Sequence, residues 1–274
     1  MKYKVIVTDY DGTYIKNDKT VSPSQLKAVK DFISRGGYFI VCTGRMTSGI
    51  DHFLLKDGFD GYLASFNGGE IVNLKTGEVL YKNQIDNATC VEITEYAKEH
   101  NLNIYGYPNR SFITEKEDEK TEFYKQMTGV DYQKVDSVSE YFKISKNKSS
   151  KLLFFDSKEK LDEHFEEIYE KFSHKVEVIR SNAVQIDVNA KGVSKGEAVK
   201  KISELINVPI SQIICVGDSG NDIPMLLAGG MPIAVGNALK EVKEVCKHVV
   251  CDNENDAIKQ ITLILGSSYK GIFI

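Results

Sequence analysis

The 274 residues are 42% hydrophobic and 27% charged, with a net charge of −4. That balance belongs to a globular chain and excludes a nucleic-acid binder resting on a generally basic surface, while leaving a local cationic pocket open. No stretch approaches about 18 uninterrupted apolar residues, so no membrane span is expected. The opening Met1-Lys2-Tyr3-Lys4 enters a strand at once, leaving no room for a signal peptide, which points to a cytoplasmic protein. The run Val5-Ile6-Val7-Thr8 reads as a buried strand. It ends in Asp9-Tyr10-Asp11-Gly12-Thr13, two carboxylates one residue apart. Asp-Gly is common in turns. Two carboxylates this close also repel unless a cation or a proton intervenes, so a turn and a metal-bound centre both stand at this point.

Ser22-Pro23-Ser24-Gln25 reads as a helix start, with Ser22 capping, Pro23 in the first turn and Gln25 completing a capping box. Leu26, Val29, Phe32 and Ile33 recur at helical spacing, and Gly36-Gly37 ends the helix. Residues 38–42 form a second apolar strand ending in Thr43-Gly44-Arg45. Strand, helix, strand is the unit of a parallel sheet. A helix is expected over 47–56, a third strand over 62–66 ending in Asn67-Gly68-Gly69, and a β-hairpin over 70–72 and 78–81.

From about residue 83 the texture changes to polar helices and amphipathic strands. Helices are expected over 86–100 and 158–172, and strands over 103–107, 111–114, 152–155, 176–179 and 183–188. The charge run 115–120 reads as a solvated loop or helix start, and 143–151 as a loop. Core texture then returns. A helix over 194–205 is capped by Ser194, with Glu197 three residues on. The strand 213–216 runs into Gly217-Asp218-Ser219-Gly220-Asn221-Asp222. A helix (223–228), two short strands (233–235 and 248–250) with a helix (239–246) between them, and a helix from Asp256 follow, with an unplaced apolar tail at 271–274. An α/β domain split by an inserted α+β domain results. The five cysteines show no C-x-x-C pair and read as free buried thiols, Cys42 and Cys215 as core packing. The histidines show no H-x-x-x-H spacing, and a zinc site has little support.

Parallel strands put their C-terminal ends on one edge. Asp9, Asp11, Thr43, Gly44, Asp218 and Asp222 follow strands read as buried, and Lys195 opens a helix. Carboxylates and a lysine gathered at one edge call for a compensating cation and anion. Mg²⁺ suits the carboxylates where a phosphate completes its coordination, and Thr43, Gly44 and Lys195 supply phosphate donors. Lys191 competes with Lys195 for that role. Arg45 is open between a structural role and a phosphate contact. Asn67 and Gly68 are open between a tight turn and the substrate.

The ordered set D-Y-D-G-T, T-G-R, a lysine opening a helix, and G-D-S-G-N-D resembles the haloacid dehalogenase (HAD) superfamily of phosphatases. The insertion after the third strand, with F-N-G and G-V-S-K-G, is similar to its Cof-type subfamily. The resemblance runs over nearly the whole chain. It implies an α/β fold: a Rossmann-like HAD core with a parallel sheet, residues 1–83 and 189–274, plus an inserted α+β cap, residues 84–188, that selects substrate. It implies Asp9 as nucleophile and Asp11 as general acid and base. It also implies Mg²⁺ held by Asp9, the Asp11 backbone carbonyl and Asp218, with Asp222 at or behind the metal shell. Thr43, Gly44, Lys195 and Asn221 would bind the phosphoryl group. Tyr10, where the family often carries an aliphatic residue, is expected to point away from the site. The expected activity is hydrolysis of a small phosphorylated metabolite, a sugar phosphate first, with pyridoxal, nucleotide or flavin phosphates open. The expected chain is a monomer or weak homo-oligomer with no nucleic-acid or membrane partner. The rivals are a phosphomutase-like transferase and a non-enzymatic phosphate-binding regulator. A dinucleotide site lacks its glycine fingerprint.

Overall fold

The structure is a computed structural model and describes residues 2–59 and 61–266. Its strands are β1 (Val5–Thr8), β2 (Tyr38–Cys42), β3 (Tyr62–Ser65), β4 (Glu70–Asn73), β5 (Glu78–Lys82), β6 (Ile104–Gly106), β7 (Phe112–Thr114), β8 (Tyr132–Lys134), β9 (Lys151–Phe155), β10 (Val176–Asn182), β11 (Gln185–Ala190), β12 (Ile213–Gly217), β13 (Met231–Ala234) and β14 (His248–Val249). Its α-helices are α1 (Pro23–Ser34), α2 (Asp51–Lys56), α3 (Asn87–Glu99), α4 (Glu119–Thr128), α5 (Val138–Ser145), α6 (Lys158–Phe172), α7 (Lys195–Leu205), α8 (Ile223–Ala228), α9 (Lys240–Val245) and α10 (Ala257–Gly266). The chain divides into two compact units. One comprises Met1–Gly44, Phe53–Val79 and Ser194–Ile274, the other Arg45–His52 and Leu80–Val193.

The first unit is built on a sheet of order β14-β13-β12-β1-β2-β3-β4-β5. β1 lies between β12 and β2, parallel to both, with Val5 opposite Ile213 and Tyr38. Val5, Ile6 and Val7 are wholly buried, as are Ile213, Ile214 and Cys215. Each such aliphatic side chain contributes about 1.5–3 kcal/mol by leaving water. The sheet is mixed rather than purely parallel, because β4 turns back antiparallel on β3 and the hairpin expected at 70–81 supplies the edge.

Ser22 caps α1 by accepting from the Gln25 backbone N–H at 3.0 Å. The expected capping box does not close. The buried Gln25 side chain donates instead to the Tyr14 carbonyl at 2.7 Å and accepts from the Ile258 N–H at 3.0 Å, so it joins α1 to the loop after β1 and to α10. The segment expected as one helix over 47–56 is a 3₁₀ turn, Thr47–Gly49, followed by α2. The tail at 271–274 lies outside the described residues.

The second unit carries a sheet of order β10-β11-β9-β6-β7-β8. Ile186 and Val188 of β11, Leu152 and Phe154 of β9 and Ile104 of β6 pack with Ile93 and Tyr96 of α3, Phe142 of α5 and Leu161 and Ile168 of α6. Alternation along the strands aims the other residues at the opposite face. Lys143, Ile144 and Ser145, expected in a loop, end α5, and Lys151 opens β9 with its side chain buried. β8 and α5 are elements the sequence reading did not contain. All five cysteines are free, but Cys246 and Cys251 are only half-buried.

Candidate active site

The tips of β1, β2 and β12 and the start of α7 carry the charged residues of the first unit. The Asp9 N–H donates to the Val216 carbonyl at 2.9 Å, extending the β1–β12 ladder by one residue and fixing where its carboxylate emerges. Ser194 caps α7 through the Glu197 N–H at 3.1 Å, which places Lys195 at the first helical position. The Lys195 ammonium, 1% exposed, donates to Asp9 Oδ1 at 2.5 Å and Asp222 Oδ1 at 2.6 Å. Burial works against that charge, but Asp222 and Asp9 outweigh it and raise the lysine above its ordinary value.

Asp222 is wholly buried. Its second oxygen accepts from the Asp218 N–H at 3.0 Å and the Ser219 N–H at 3.1 Å. It therefore holds both Lys195 and the loop that presents Asp218. Asp218 Oδ1 accepts from the Thr13 hydroxyl at 2.8 Å, a partner within the D-Y-D-G-T stretch to which the sequence reading gave no role. Two glycines make this approach possible. Gly12 has φ +74°, and a Cβ there would lie 2.8 Å from Asp218 Oδ2. A Cβ on Gly217 would meet the Asp222 side chain at 2.5 Å.

The electrostatics are unbalanced. Burial, then Asp222 and Asp218, lift the Asp9 carboxyl well above its usual range against the pull of Lys195. Burial pushes Asp218 up to about 6, with the Thr13 hydroxyl opposing and Asp222 adding to the rise. Carboxylate oxygens of Asp9, Asp218 and Asp222 lie within 4.8 Å of one another. A set of hard oxygen donors, too acidic for one lysine to neutralise, fits a hard divalent cation such as Mg²⁺.

Asp11 stands apart from this buried group. It is part-exposed and pairs with Lys19 at 2.8 Å. Tyr10 is buried, its ring 6.3 Å from that of Tyr14. Thr43 is buried, and its carbonyl accepts from the Asn67 N–H at 2.8 Å. Asn67 lies in the 3₁₀ turn Phe66–Gly68 at φ +56°. Its Oδ1 is beside Gly44, buried and without a hydrogen-bond partner among the described residues. Gly68 packs against Ser194 and Ala198. Asn221 accepts from the Ser219 hydroxyl at 2.7 Å. Arg45 groups with the second unit, where its charge acts on the Tyr124 phenol.

The second unit has a polar cluster of its own. Buried Lys151 pairs with buried Asp187, which keeps the ammonium above its ordinary value although burial opposes it. The Tyr107 and Tyr124 hydroxyls meet at 2.5 Å, and Lys151 Nζ is 5.6 Å from the centre of the Tyr107 ring. Asn189, opposite Lys151 in the β11–β9 register, is wholly buried, and neither atom of its carboxamide has a hydrogen-bond partner among the described residues. Of this cluster the sequence reading had Tyr107 ending one expected strand, Asp187 within another and Lys151 closing an expected loop. Alternation along β9 and β11 is the signal that places Lys151, Asp187 and Asn189 on one face.

The sequence profile of the haloacid dehalogenase-like hydrolases matches residues 6–261. A Haemophilus influenzae protein described as a phosphatase candidate is 27% identical, covering 95% of this chain and 97% of its own. The Bacillus subtilis 5-amino-6-(5-phospho-D-ribitylamino)uracil phosphatase YcsE is 24% identical, covering 93% and 92%. Among solved structures, a haloacid dehalogenase-like hydrolase from Bacteroides thetaiotaomicron superposes with a TM-score of 0.88 at 25% identity, over 96% of this chain and 100% of its own. The subclass IIB sugar phosphatase BT4131 superposes with a TM-score of 0.83 at 20% identity, over 96% and 99%, and shares the fold. A family match over nearly the whole chain makes this chain a phosphatase of the haloacid dehalogenase-like hydrolase family.

Proposed function

We propose that the chain hydrolyses phosphorylated sugars and related polyols through an aspartyl-phosphate on Asp9, with Mg²⁺ as cofactor. The observation that carries the mechanism is the buried Lys195 ammonium between Asp9 and Asp222, with Asp218 alongside. The carboxylates of Asp9 and Asp218 and the Asp11 backbone carbonyl would hold Mg²⁺, with Asp222 behind them. When bound, the cation supplies the charge neutralisation that an anionic nucleophile and an anionic phosphate require.

Asp9 attacks phosphorus with one oxygen, and the phosphorus–oxygen bond to the leaving alcohol breaks. Asp11 gives its proton to that leaving oxygen, then takes one from the water that hydrolyses the aspartyl-phosphate. Its tie to Lys19 is at the surface, where exchange for water costs little. Lys195, Thr43, Gly44 and Asn221 bind the phosphoryl oxygens. Arg45, Asn67 and Gly68 are further substrate candidates.

We assign choice of the leaving group to the second unit, whose long segment Leu80–Val193 contains the expected cap at 84–188. Lys151, Asp187, Asn189 and the Tyr107–Tyr124 hydroxyl pair offer alternating donors and acceptors, which suits a run of alcohols. A phosphorylated ribityl chain, named for the YcsE relative, has that chemistry. The protein would work in the cytoplasm as a monomer or weak homo-oligomer.

A panel of phosphorylated metabolites tests the reading. Sugar and polyol phosphates should be turned over fastest, activity should vanish in chelator and return with Mg²⁺, and Asp9→Asn should lose at least about a thousandfold. Full activity in Asp9→Asn would sink the mechanism. Turnover confined to pyridoxal or flavin phosphates would sink the substrate class. Phosphoryl transfer to a second sugar in place of release to water would make the chain a transferase.

A further inference from the structure

We propose that His100, His164 and Glu167 form a binding site in the second unit for a borderline divalent transition metal such as Zn²⁺. His100 caps the C-terminal end of α3, and His164 and Glu167 stand three residues apart on one face of α6. One ligand atom from each side chain lies within 4.8 Å of the other two. The two imidazole rings meet edge to face, their centroids 4.9 Å apart.

The surroundings hold these groups in place. Tyr96 is 1% exposed. Its ring lies 4.2 Å from the His100 ring, centroid to centroid. Its hydroxyl donates to Glu167 Oε2 at 2.9 Å and lies 3.4 Å from His164 Nδ1. A partner that orients a ligating carboxylate is what metal sites use to fix their ligands. A bound ion needs its donors at about 2.0–2.2 Å, a modest closing movement that the half-exposed Glu167 can supply by rotating. Two imidazoles and one carboxylate select zinc, cobalt, nickel or copper over Mg²⁺, which wants oxygen alone. The ammonium of Lys171, 4.9 Å from the centre of the Tyr96 ring, and that of Lys160, bonded to the Asn101 carbonyl, oppose a cation and hold the affinity below that of a buried zinc site. An ion here would tie the end of α3 to the middle of α6.

Zinc is titrated by equilibrium dialysis in excess Mg²⁺ into the wild-type chain and into Asp218→Asn. Both should bind one zinc equivalent. His100→Ala, His164→Ala and Glu167→Gln should each weaken that binding by at least about tenfold while keeping Mg²⁺-dependent activity, and Tyr96→Phe should weaken it less. Circular dichroism confirms that each variant is folded. Glu167→Gln, on a half-exposed side chain, keeps the test open if the histidine variants fail to fold. No zinc equivalent in Asp218→Asn, or an equivalent that all three ligand variants retain, overturns the proposal.

Discussion

Gly12 shows how little room the site allows. Its positive φ and the 2.8 Å approach to Asp218 are two separate reasons why only glycine serves there. In Gly12→Ala the Asp218 carboxylate must move off its Thr13 partner, and the Mg²⁺ concentration for half-maximal activity should rise about tenfold or more in a metal titration. Lys195 carries a different burden. Replacing it with methionine keeps the apolar stem but leaves Asp9 and Asp222 as buried like charges. Such a change costs about 3–5 kcal/mol, so Lys195→Met should unfold at markedly lower urea than the wild type in chelator, besides losing turnover. A Lys195→Met chain of unchanged stability would mean that the ion pairs are neutralised by other means. At this scale the sequence was most legible where one short motif sits at one strand tip. Asp9 and Asp218, named from such motifs, and Lys195, named from a helix start, lie together in the structure. Thr13 was passed over because a hydroxyl in a turn motif has many uses, and its bond to Asp218 spans most of the chain.

At the scale of elements, Asp156 ties three segments of the second unit together. Its carboxylate accepts from Lys120 of α4 at 2.8 Å, from the N–H of Ser157, the N-cap residue of α6, at 2.8 Å, and from the Asn103 N–H at 3.1 Å. Burial works to raise its pKa, but these donors win and hold it at about 2, against an ordinary 3.8. The folded value is depressed, so the stabilisation is fully present above about pH 4 and is lost as the pH falls towards 2. Chemical unfolding from pH 5 to 2 should show the wild type losing stability more steeply than Asp156→Asn. Equal slopes would show that the carboxylate contributes nothing. Long periodic elements such as α6 were legible from spacing alone. α5 and β8 were not, because β8, Tyr132-Gln133-Lys134, is polar and largely exposed, and α5 runs into the Lys/Ser/Asn-rich stretch read as a loop. Lys151 was misread as a loop residue because a buried lysine is intelligible only beside Asp187, which lies on another strand.

For the whole molecule, the alternation of strand and helix declared an α/β core, and the change of texture after the third strand declared an insertion. Both were readable because each rests on local composition. The hairpin was readable too, but its membership of the main sheet, which makes that sheet mixed, was not, since strand order is settled by packing. The His100, His164 and Glu167 cluster escaped for the same reason: its residues come from two helices and no spacing rule covers them.

The position of β1 between β12 and β2 has a consequence in time. Val5 leaves the ribosome before the second unit, yet its partner Ile213 follows only after that entire unit has been made. The apolar β1–β3 segment must therefore wait while a contiguous stretch, Leu80–Val193, already holds the partners it needs to collapse. Pairings of such long sequence separation form late. Pulsed hydrogen exchange during refolding should protect the amides of β9 and β11 before those of β1 and β12. The interval between the two is when the chain is most exposed to aggregation, and the charges that flank β1, Lys2, Lys4, Asp9 and Asp11, then act against edge-to-edge pairing.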